Sequence, residues 1–408
     1  MPTELVELVV GPVAHGGHCV ARLDGRVVFV RHTLPGERVR ARLTQAGDGR
    51  SFWRADAIEV LEASADRVPS AWPAAGPGGV GGGELAHVAL AAQRAWKRTV
   101  LEEQLRRLAH DERTVPVAAA PGDDERGGLA WRTRIDLVVD DEGRAGMFRY
   151  RSHEVLPLAD MPLATEGVAG LGLFDRRWPA GARIEAVVPE GAPAGVVLVD
   201  GIPFDLTRGR TDPRPNARTT VLEQVTTAAG HWTYRVSAAG FWQVHRAAPG
   251  VLVDAVLRAA GDLAGARVLD LFAGAGLFTL PLADAVGEGG SVVAVEGDAR
   301  AVRDARRLVH DRPTVTLRSG DVSGVLASGV GAADVVVLDP PRTGAGRRVI
   351  GAIGALAPHR VVYVACDPAA LARDVALLTG QGYALDAVTG HDLFPMTHHV
   401  EAVAVLTR

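Results

Sequence analysis

The sequence predicts an α/β protein whose C-terminal part is a doubly wound, mainly parallel sheet, preceded by a small β-barrel and a mixed, mostly β central domain. After residue 267, short β-branched runs alternate with stretches of helical composition. Residues 3–62 form a series of short strand-like runs broken by glycine-containing turns. Residues 129–225 contain alternating segments, among them 134–139 and 195–199, that are typical of strands.

Length and composition fit a folded chain of several domains. The protein has 408 residues, 47% of them hydrophobic, and a formal net charge of −4, which argues against a generally basic coat for nucleic acids. We find no apolar run long enough to span a bilayer, and the acidic start lacks the basic flank of a signal peptide, so we expect a cytoplasmic protein. Cys19 and Cys366 lie far apart in sequence, which makes a disulfide framework improbable and permits a free catalytic thiol.

Residues 1–62 are expected to form the barrel. Its charge is locally positive, because eight arginines face only three acids between Val20 and Arg54. The arginines are Arg22, Arg26, Arg31, Arg38, Arg40, Arg42, Arg50 and Arg54, and the acids are Asp24, Glu37 and Asp48. Such a surface suits RNA binding. The alternative is a solvated basic face that keeps edge strands from aggregating.

Residues 63–235 are expected to form the central domain. Its first part, 69–83, is rich in proline, alanine and glycine and reads as a linker. Residues 84–109 have apolar side chains near helical spacing, which predicts a helix that can pack on the C-terminal domain. The strand-like region 129–225 contains no group of residues that suggests chemistry.

Residues 236–408 are expected to form the C-terminal domain. The predicted strands are 267–271, 291–295, 314–317, 333–338 and 360–364, with 402–406 as a closing edge strand. In such sheets ligands bind beyond the carboxyl ends of the strands. Five candidate site residues fall at or just past these ends: Asp270, Glu296, Asp321, Asp339 and Cys366.

The loop after the first of these strands predicts a nucleotide-like ligand. Gly274 and Gly276 permit close approach of the backbone, but Thr279 stands where a dinucleotide site would have a third glycine. The carboxylate of Asp270 suits a ligand with an ammonium group, and that of Glu296 can accept both hydroxyls of a ribose. Together these features favour S-adenosylmethionine over NAD. The alternative is a glycine-rich turn with capping carboxylates.

Cys366 is expected where a strand passes into a helix. Asp367 is the predicted N-cap and Pro368 the first helical residue, which would place the sulfur beside the positive end of a helix dipole. That position lowers a thiol pKa and so favours the reactive thiolate. The alternative is a buried structural cysteine.

Two further segments carry candidate substrate and proton-transfer groups. Two prolines hold Asp339 rigidly, so that it can accept the imide hydrogen of a uracil, while Arg342 can reach an anion such as a backbone phosphate. Arg342 stands where amino-group methyltransferases often have an aromatic residue, which argues against an exocyclic amine as acceptor. Glu401, beside a hydrophobic strand, is a candidate for a carboxylate of raised pKa that takes a proton.

Two further polar segments, around Gln243 and at His398 and His399, are interpreted as structural from their own residues. Gln243 offers an amide beside two aromatic residues, which by itself indicates core packing with a polar edge. His398 and His399 are expected to point in opposite directions in an extended segment, and no further ligands are evident, so no metal site is predicted.

These motifs together resemble the RNA uracil-5 methyltransferase family. The matching segments are Phe241-Trp-Gln243, Asp270–Phe278, Asp339-Pro-Pro-Arg342, Tyr363–Asp374 and Phe394–Glu401. The resemblance covers nearly the whole chain, since the barrel looks like the OB-like TRAM domain and the C-terminal part like the Rossmann-like methyltransferase domain of that family. It implies a nucleophile, Cys366; a base, Glu401; a uracil contact, Asp339; and residues around S-adenosylmethionine, namely Gln243, Phe272, Glu296 and Asp321.

The resemblance implies methylation of carbon-5 of a uridine in tRNA or rRNA through a covalent bond between Cys366 and the ring, with the nucleotide flipped out of its stack. We expect a monomer, since one chain holds all these residues. Two alternatives remain open: an RNA-binding protein of the same fold with little turnover, and an amino-group nucleic-acid methyltransferase.

The chain departs from the family pattern in two places. Many members have four cysteines for an iron–sulfur cluster, and the corresponding positions here are Trp72, Val80, Gly83 and Met161, so the cluster is expected to be absent. Asp367 stands where the family commonly has asparagine, and its negative charge beside the sulfur would oppose thiolate formation.

Overall fold

The computed structural model describes residues 5–47 and 49–408. Residues 1–4 and Asp48, which the sequence analysis assigned to the barrel, lie outside the described residues. Within these two described ranges, no helix combines the length and the apolar character needed to cross a membrane.

The N-terminal barrel is closed, as predicted, with the strand order β1-β2-β3-β5-β4. Its strands are β1 (Leu5–Ala14), β2 (His18–Leu23), β3 (Arg26–Arg31), β4 (Arg38–Gln45) and β5 (Trp53–Glu62). Alternate residues point inward, so that Val28 and Val30 are fully buried. Strand β5 was not among the predicted segments, although it pairs with both β3 and β4 and thereby closes the barrel.

A long helix, α1 (Leu90–Gln104), follows the barrel and continues as one π-helical turn, Leu105–Ala109. The predicted helix start at Glu84 is wrong, because residues 84–87 form turns, Val88 forms a β-bridge with Arg67, and the helix begins at Leu90. The Gln93 side chain fixes these turns by donating to the carbonyls of Leu85 and Val88, at 3.2 and 2.8 Å.

Helix α1 lies between the barrel and the C-terminal domain. Trp96 and Val100 pack into the barrel core, whereas Leu101 and Leu105 pack into the core of the C-terminal domain. The predicted packing of this helix on the C-terminal domain is therefore confirmed. The chain then adds a short strand, β6 (Val117–Ala119), to the C-terminal sheet.

The central domain is a seven-stranded sheet with the order β13-β12-β11-β10-β7-β8-β9. Its elements are β7 (Arg134–Val139), β8 (Ala145–Phe148), β9 (Val155–Pro157), α2 (Glu166–Ala169), β10 (Arg183–Val187), β11 (Val196–Val199), β12 (Ile202–Asp205) and β13 (Arg210–Thr211). The segment 69–83 is part of its core, since Trp72, Ala75 and Val80 are buried together with Trp131.

The C-terminal domain is a doubly wound sheet of eight strands with the order β18-β17-β16-β19-β20-β22-β21-β6. Its strands are β16 (Arg267–Leu271), β17 (Ser291–Glu296), β18 (Val315–Ser319), β19 (Val335–Leu338), β20 (Arg360–Ala365), β21 (Ala384–Asp392) and β22 (Glu401–Thr407), preceded by a hairpin of β14 (Thr220–Thr227) and β15 (Gly230–Ser237). Its helices are α3 (Ala248–Ala260), α4 (Thr279–Val286), α5 (Ala299–Leu308), α6 (Val322–Ala327), α7 (Gly346–Leu356) and α8 (Pro368–Thr379).

The prediction of 402–406 as an edge strand is wrong. Strand β22 lies inside the sheet, antiparallel to β20 on one side and to β21 on the other. Its first four residues are all buried, as expected of an interior strand. Strand β21 was missed because it contains Gly390 and several exposed polar residues.

The hairpin β14–β15 packs into the C-terminal core, to which Trp232 and Tyr234 both belong. The Tyr234 hydroxyl donates to the carbonyl of Leu277, at 2.9 Å. The division of the chain at residues 62 and 235 stays a prediction about its domains, because this hairpin and helix α1 both contact the third part.

Candidate active site

The carboxyl ends of four parallel strands meet at one edge of the C-terminal sheet. Leu271 of β16 pairs with Val295 of β17 and with Leu338 of β19, and Leu338 pairs with Tyr363 of β20. Residues near these positions therefore lie at one edge, where doubly wound sheets bind their ligands. This edge carries four of the candidate site residues: Asp270, Glu296, Asp339 and Cys366.

Cys366 and Glu401 face each other across neighbouring strands. Ala365, the last residue of β20, pairs with Ala402 of the antiparallel strand β22. Cys366 directly follows β20 and Glu401 begins β22, so each lies one position beyond this pair, and the Glu401 carboxylate acts electrostatically on the thiol. Glu401 is buried and Cys366 is partly buried. The structure thus brings together the two residues proposed as nucleophile and base.

Burial and like charges hold protons on the groups around the sulfur. The predicted lowering of the Cys366 thiol pKa is wrong, because burial, together with the carboxylates of Glu401 and Asp339, raises that pKa to about 12. Burial and Asp339 raise the pKa of Glu401 well above its usual value. Arg342, exposed at the rim, opposes both shifts. Burial and the Asp270 carboxylate raise the pKa of Asp339 to about 7.

The expected passage from strand to helix at Cys366 is confirmed. Asp367 caps helix α8 by accepting the N–H of Ala370 at 2.8 Å, and Pro368 is the first helical residue. Nε2 of His15, from the turn between β1 and β2, lies 3.2 Å from Oδ2 of Asp367. Burial acts to raise the pKa of Asp367, but the hydrogen bonds from His15 and Ala370 outweigh it and the pKa is lowered.

Asp270 is a buried carboxylate at the base of the glycine-rich loop. Its Oδ2 accepts the Thr279 hydroxyl at 2.5 Å. Burial and the nearby Glu296 raise the pKa of Asp270 to about 7, although the Thr279 bond opposes this shift. Both oxygens of Glu296 accept backbone N–H groups, from Gly274 at 2.7 Å and from Asp298 at 2.6 Å. Two carboxylates are therefore fixed at the start of the loop.

The backbone of this loop adopts left-handed conformations at three positions. Gly274 and Gly276 have φ of 57° and 92°, and the non-glycine residue Phe272 has φ of 61°. A side chain at Gly276 would meet Leu308, since a Cβ there would lie 2.9 Å from a Leu308 methyl group. An unfavourable backbone at Phe272 is typical of functional sites, where the surrounding structure imposes it.

Gln243 lies on the segment between β15 and α3, and it is 7% exposed. This segment is held against helix α5: the N–H of Ser237 donates to Asp304 at 2.8 Å, and the Arg300 guanidinium donates to the Ala239 carbonyl. Because α5 directly follows β17, the segment borders the same end of the sheet as the glycine-rich loop.

Asp321 is exposed and acts as the N-cap of helix α6. Its Oδ2 accepts the Gly324 N–H at 3.0 Å and the Ser323 hydroxyl at 2.8 Å. It lies near the end of β17, since the N–H of Gly320 donates to the Glu296 carbonyl at 2.9 Å. The structure therefore supplies a capping role for Asp321 besides the predicted contact with a ligand.

Asp374 fixes the loop that carries Asp339 and Arg342. Its Oδ2 accepts the Tyr363 hydroxyl and the Ala345 N–H, both at 2.7 Å. Asp374 is the last residue of the Tyr363–Asp374 motif, but no role was predicted for it. Asp374 lies on α8, 29 residues after Ala345 of the loop that it binds, so this contact could not be predicted from sequence spacing alone.

Sequence reasoning missed two buried polar residues of α1 that hold the segment 393–400 before Glu401. Lys97 donates to Asp392 at 2.5 Å and to the Phe394 carbonyl at 2.9 Å. Gln93 accepts the Met396 N–H at 2.7 Å. Their sequence positions could have indicated a shared role, since Gln93 and Lys97 are four residues apart and so lie on one face of a helix, and Lys97 is the only lysine of the sequence.

The expectation that His398 and His399 point apart is wrong. The segment bends before β22 begins, and the two rings lie 4.1 Å apart. Nδ1 of His398 lies 3.6 Å from a buried oxygen of Glu84. Among the described residues, no group of three or more side chains is arranged to hold a metal ion.

A groove of about 1220 Å³ runs between the barrel and α1 with its π-helical turn. Its positively charged and aromatic lining residues include Arg22, Phe29, Arg54, Arg106, Arg107 and Arg113, and His15 also lines it. The basic excess of the barrel is smaller than the sequence suggested, because Arg38 and Arg40 pair with Glu62 and Glu59 at 2.8 and 2.6 Å.

Comparisons with known proteins identify two regions. A TRAM domain profile matches residues 2–52, and a profile described as tRNA (uracil-5-)-methyltransferase matches residues 330–408. An uncharacterised RNA methyltransferase of Streptomyces coelicolor is 42% identical over 99% of this chain and 93% of its own length. A 23S rRNA (uracil(1939)-C(5))-methyltransferase of Halomonas elongata is 34% identical over 98% of this chain and 89% of its own.

A solved structure has the same overall fold. It is the Pyrococcus abyssi tRNA (uracil-54, C5)-methyltransferase in complex with S-adenosyl-L-homocysteine, which aligns with a TM-score of 0.72 over 98% of this chain and 100% of its own. The sequence identity is 21%, so this likeness concerns the fold.

Proposed function

Because the chain belongs to the family of RNA uracil-5 methyltransferases, we propose that it methylates carbon-5 of a uridine in tRNA or rRNA, with S-adenosylmethionine as methyl donor and Cys366 as nucleophile. The observation that carries this proposal is the position of Cys366 and of the buried Glu401, each one residue beyond the cross-strand pair Ala365–Ala402, with the Glu401 carboxylate acting electrostatically on the thiol. A methyltransferase acting on an amine needs no such thiol.

The residues around the glycine-rich loop fit S-adenosylmethionine. Asp270 is buried and its pKa is raised, so it lacks the positive partner that an ammonium group would provide. The N–H groups at Gly274 and Asp298 orient the Glu296 carboxylate, which retains lone pairs for the hydroxyls of a ribose. When bound, the cofactor supplies the methyl group and a positive charge that opposes the raised pKa of the thiol.

The reaction at carbon-5 needs a nucleophile and a base on the two strands. The Cys366 thiolate adds to carbon-6 of the uracil, and the ring electrons become an enolate that takes up the methyl group at carbon-5. Glu401 then removes the remaining proton from carbon-5, and the electron pair released expels the thiolate. Asp339, held by its two prolines, accepts the imide hydrogen and orients the ring.

RNA binding is proposed for the groove between the barrel and α1. Its five arginines suit phosphates and outnumber the three lining glutamates, Glu102, Glu103 and Glu112, and the ring of Phe29 suits stacking of an unpaired base. The guanidinium of Arg54, one of the lining residues, lies over the ring of the neighbouring Phe52, 4.7 Å from its centroid. His15 lines the groove and also contacts Asp367, so the groove leads to the candidate active site.

An iron–sulfur cluster does not fit the residues of the central domain. Trp72, Val80 and Met161 belong to one buried apolar cluster, and a Cβ at Gly83 would lie 2.9 Å from the Trp72 ring. None of these four side chains is a thiolate ligand. We propose that apolar packing stabilises this region in place of a cluster.

RNA that contains 5-fluorouridine tests the proposed function. Fluorine replaces the proton that Glu401 must remove, so the wild-type protein should remain covalently attached to the RNA after methyl transfer and survive denaturing electrophoresis. Cys366→Ala should form no such complex. Cys19→Ala is the matched control, because Cys19 is a buried thiol of the barrel and its removal should leave the complex in place.

Two results would contradict the proposal. Methylation of RNA by Cys366→Ala at the wild-type rate would indicate an amino-group methyltransferase. RNA binding without any covalent complex or methyl transfer would indicate an RNA-binding protein without turnover. Mass spectrometry of nucleosides from tRNA and rRNA of a deletion strain would identify the missing 5-methyluridine and thus the substrate.

A further inference from the structure

The turn between the first two strands of the barrel reaches the candidate active site. It consists of His15, Gly16 and Gly17, between β1 and β2. Nε2 of His15 lies 3.2 Å from Oδ2 of Asp367, the residue after the proposed nucleophile. The two side chains are 38% and 24% exposed, so the pair is partly shielded from solvent.

The same turn also contacts the segment before the proposed base. A Cβ at Gly17 would lie 3.1 Å from Nδ1 of His398, so the backbone of the turn lies directly against that ring. The φ of Gly17 is 78°, a conformation that other residues rarely adopt. One barrel turn therefore touches both the start of α8 and the segment that leads to Glu401.

The two oxygens of Asp367 have separate tasks. Oδ1 accepts the Ala370 N–H at 2.8 Å and caps helix α8, and Oδ2 contacts His15. Without His15, the second oxygen would lose its side-chain hydrogen bond, and its negative charge next to the sulfur of Cys366 would keep only a Coulombic interaction with Arg373. A negative charge there disfavours the thiolate, and a free carboxylate can also rotate away from the helix start.

We propose that His15 is a positioning residue for the reaction at Cys366: it binds the Asp367 carboxylate from the barrel, holds the cap of α8 and gives the charge beside the sulfur a partner. The proposal rests on the proposed function as far as catalysis is concerned. The effect of His15 on the reactivity of the Cys366 thiol does not depend on any substrate. The barrel thus has a role at the active site in addition to RNA binding.

Substitutions at both residues of the pair test this inference. His15→Ala should slow the reaction of Cys366 with iodoacetamide by about threefold to tenfold, the range for loss of one charge-assisted hydrogen bond that is partly exposed. Asp367→Asn should restore the rate in the His15→Ala background, because asparagine caps the helix equally well and has no charge that needs a partner. His15→Gln, which keeps an N–H donor, should retain most of the wild-type rate.

The measurement is the rate of alkylation of each cysteine, followed by mass spectrometry of the full-length protein. Cys19 is fully buried and serves as an internal reference that should stay unmodified in every folded variant. His310→Ala is the matched control, since it breaks a contact of the same type, 2.9 Å from Nε2 to Asp311, at an exposed position just after the end of α5. It should leave the rate at Cys366 unchanged.

The same variants, tested for covalent complex formation with saturating 5-fluorouridine RNA, should show the same order of rates. Equal alkylation rates in the wild type and His15→Ala would overturn the inference. So would a double variant as slow as His15→Ala, because the effect would then arise from barrel docking and not from the charge. A wild-type protein that forms no complex with RNA would refute the proposed function, while the alkylation series would still decide the role of His15.

Discussion

Asp270 should make the ligand-free protein less stable above neutral pH, and Asp270→Asn should remove this effect. The pKa of Asp270 is about 7 in the folded protein because of burial and Glu296, against an ordinary value of 3.8. Each unit corresponds to about 1.4 kcal/mol, so a difference of about three units makes ionisation cost the folded state up to about 4 kcal/mol. Asparagine has the same shape, can still accept the Thr279 hydroxyl, and carries no charge.

The sign of this effect determines its pH dependence. Since the folded pKa lies above the unfolded one, the carboxyl contributes no penalty below about pH 4, where it is protonated in both states. The penalty grows as the pH rises from 4 through 7 and is complete above that value. Urea unfolding should therefore show that Asp270→Asn is more stable than the wild type by only about 1 kcal/mol at pH 4.5 and by up to about 4 kcal/mol at pH 8.

Asp334→Asn is the control of opposite sign. Hydrogen bonds from Arg267, the shorter at 2.6 Å, lower the pKa of Asp334 to about 2, so its charged form favours the folded state. Asp334→Asn should therefore give no increase in stability at pH 8. The reasoning about Asp270 is refuted if Asp270→Asn is no more stable than the wild type at pH 8. S-adenosylmethionine should raise the unfolding temperature of the wild type more than that of Asp270→Asn.

Two further substitutions test the base and the segment that carries it. Glu401→Gln should accumulate a covalent complex with RNA containing ordinary uridine, because the amide cannot remove the carbon-5 proton; turnover at the wild-type rate would exclude Glu401 as the base. Lys97→Met should lower the free energy of unfolding by about 3–5 kcal/mol, since it leaves the buried Asp392 without its partner. Adding Asp392→Asn should recover part of that loss in urea unfolding, and a loss below about 1 kcal/mol for Lys97→Met would contradict a structural role of the pair.

The sequence predicts those parts of the fold in which the local pattern and the long-range pairing agree. Strands β16, β17, β19 and β20 are mainly apolar, as expected of parallel strands covered on both faces, and all four were predicted. Strand β21 has exposed polar residues and Gly390, and β6 has only three residues, so neither has a strong pattern of its own. Without these two, β22 was wrongly placed at the edge.

The candidate site could be predicted as far as the topology of a parallel sheet determines it. Asp270, Glu296, Asp339 and Cys366 follow or end strands, and the paired register brings them to one edge. His15 could not be found in this way, because its contact with Asp367 joins two domains across more than 350 residues of sequence. Such contacts depend on how the barrel docks, which no local pattern specifies.

The pKa values of three groups at the site are all raised, which favours the uncharged form of each group. Asp270 and Asp339 have pKa values of about 7, and that of Cys366 is about 12, so each group is biased towards its uncharged form without ligands. Arg342 opposes the shift at Cys366, but it is exposed and its charge is screened by solvent. A ligand that brings positive charge between these groups would lower all three pKa values together. Under the proposed function, binding of a cationic methyl donor and activation of the Cys366 thiol would then be the same electrostatic event.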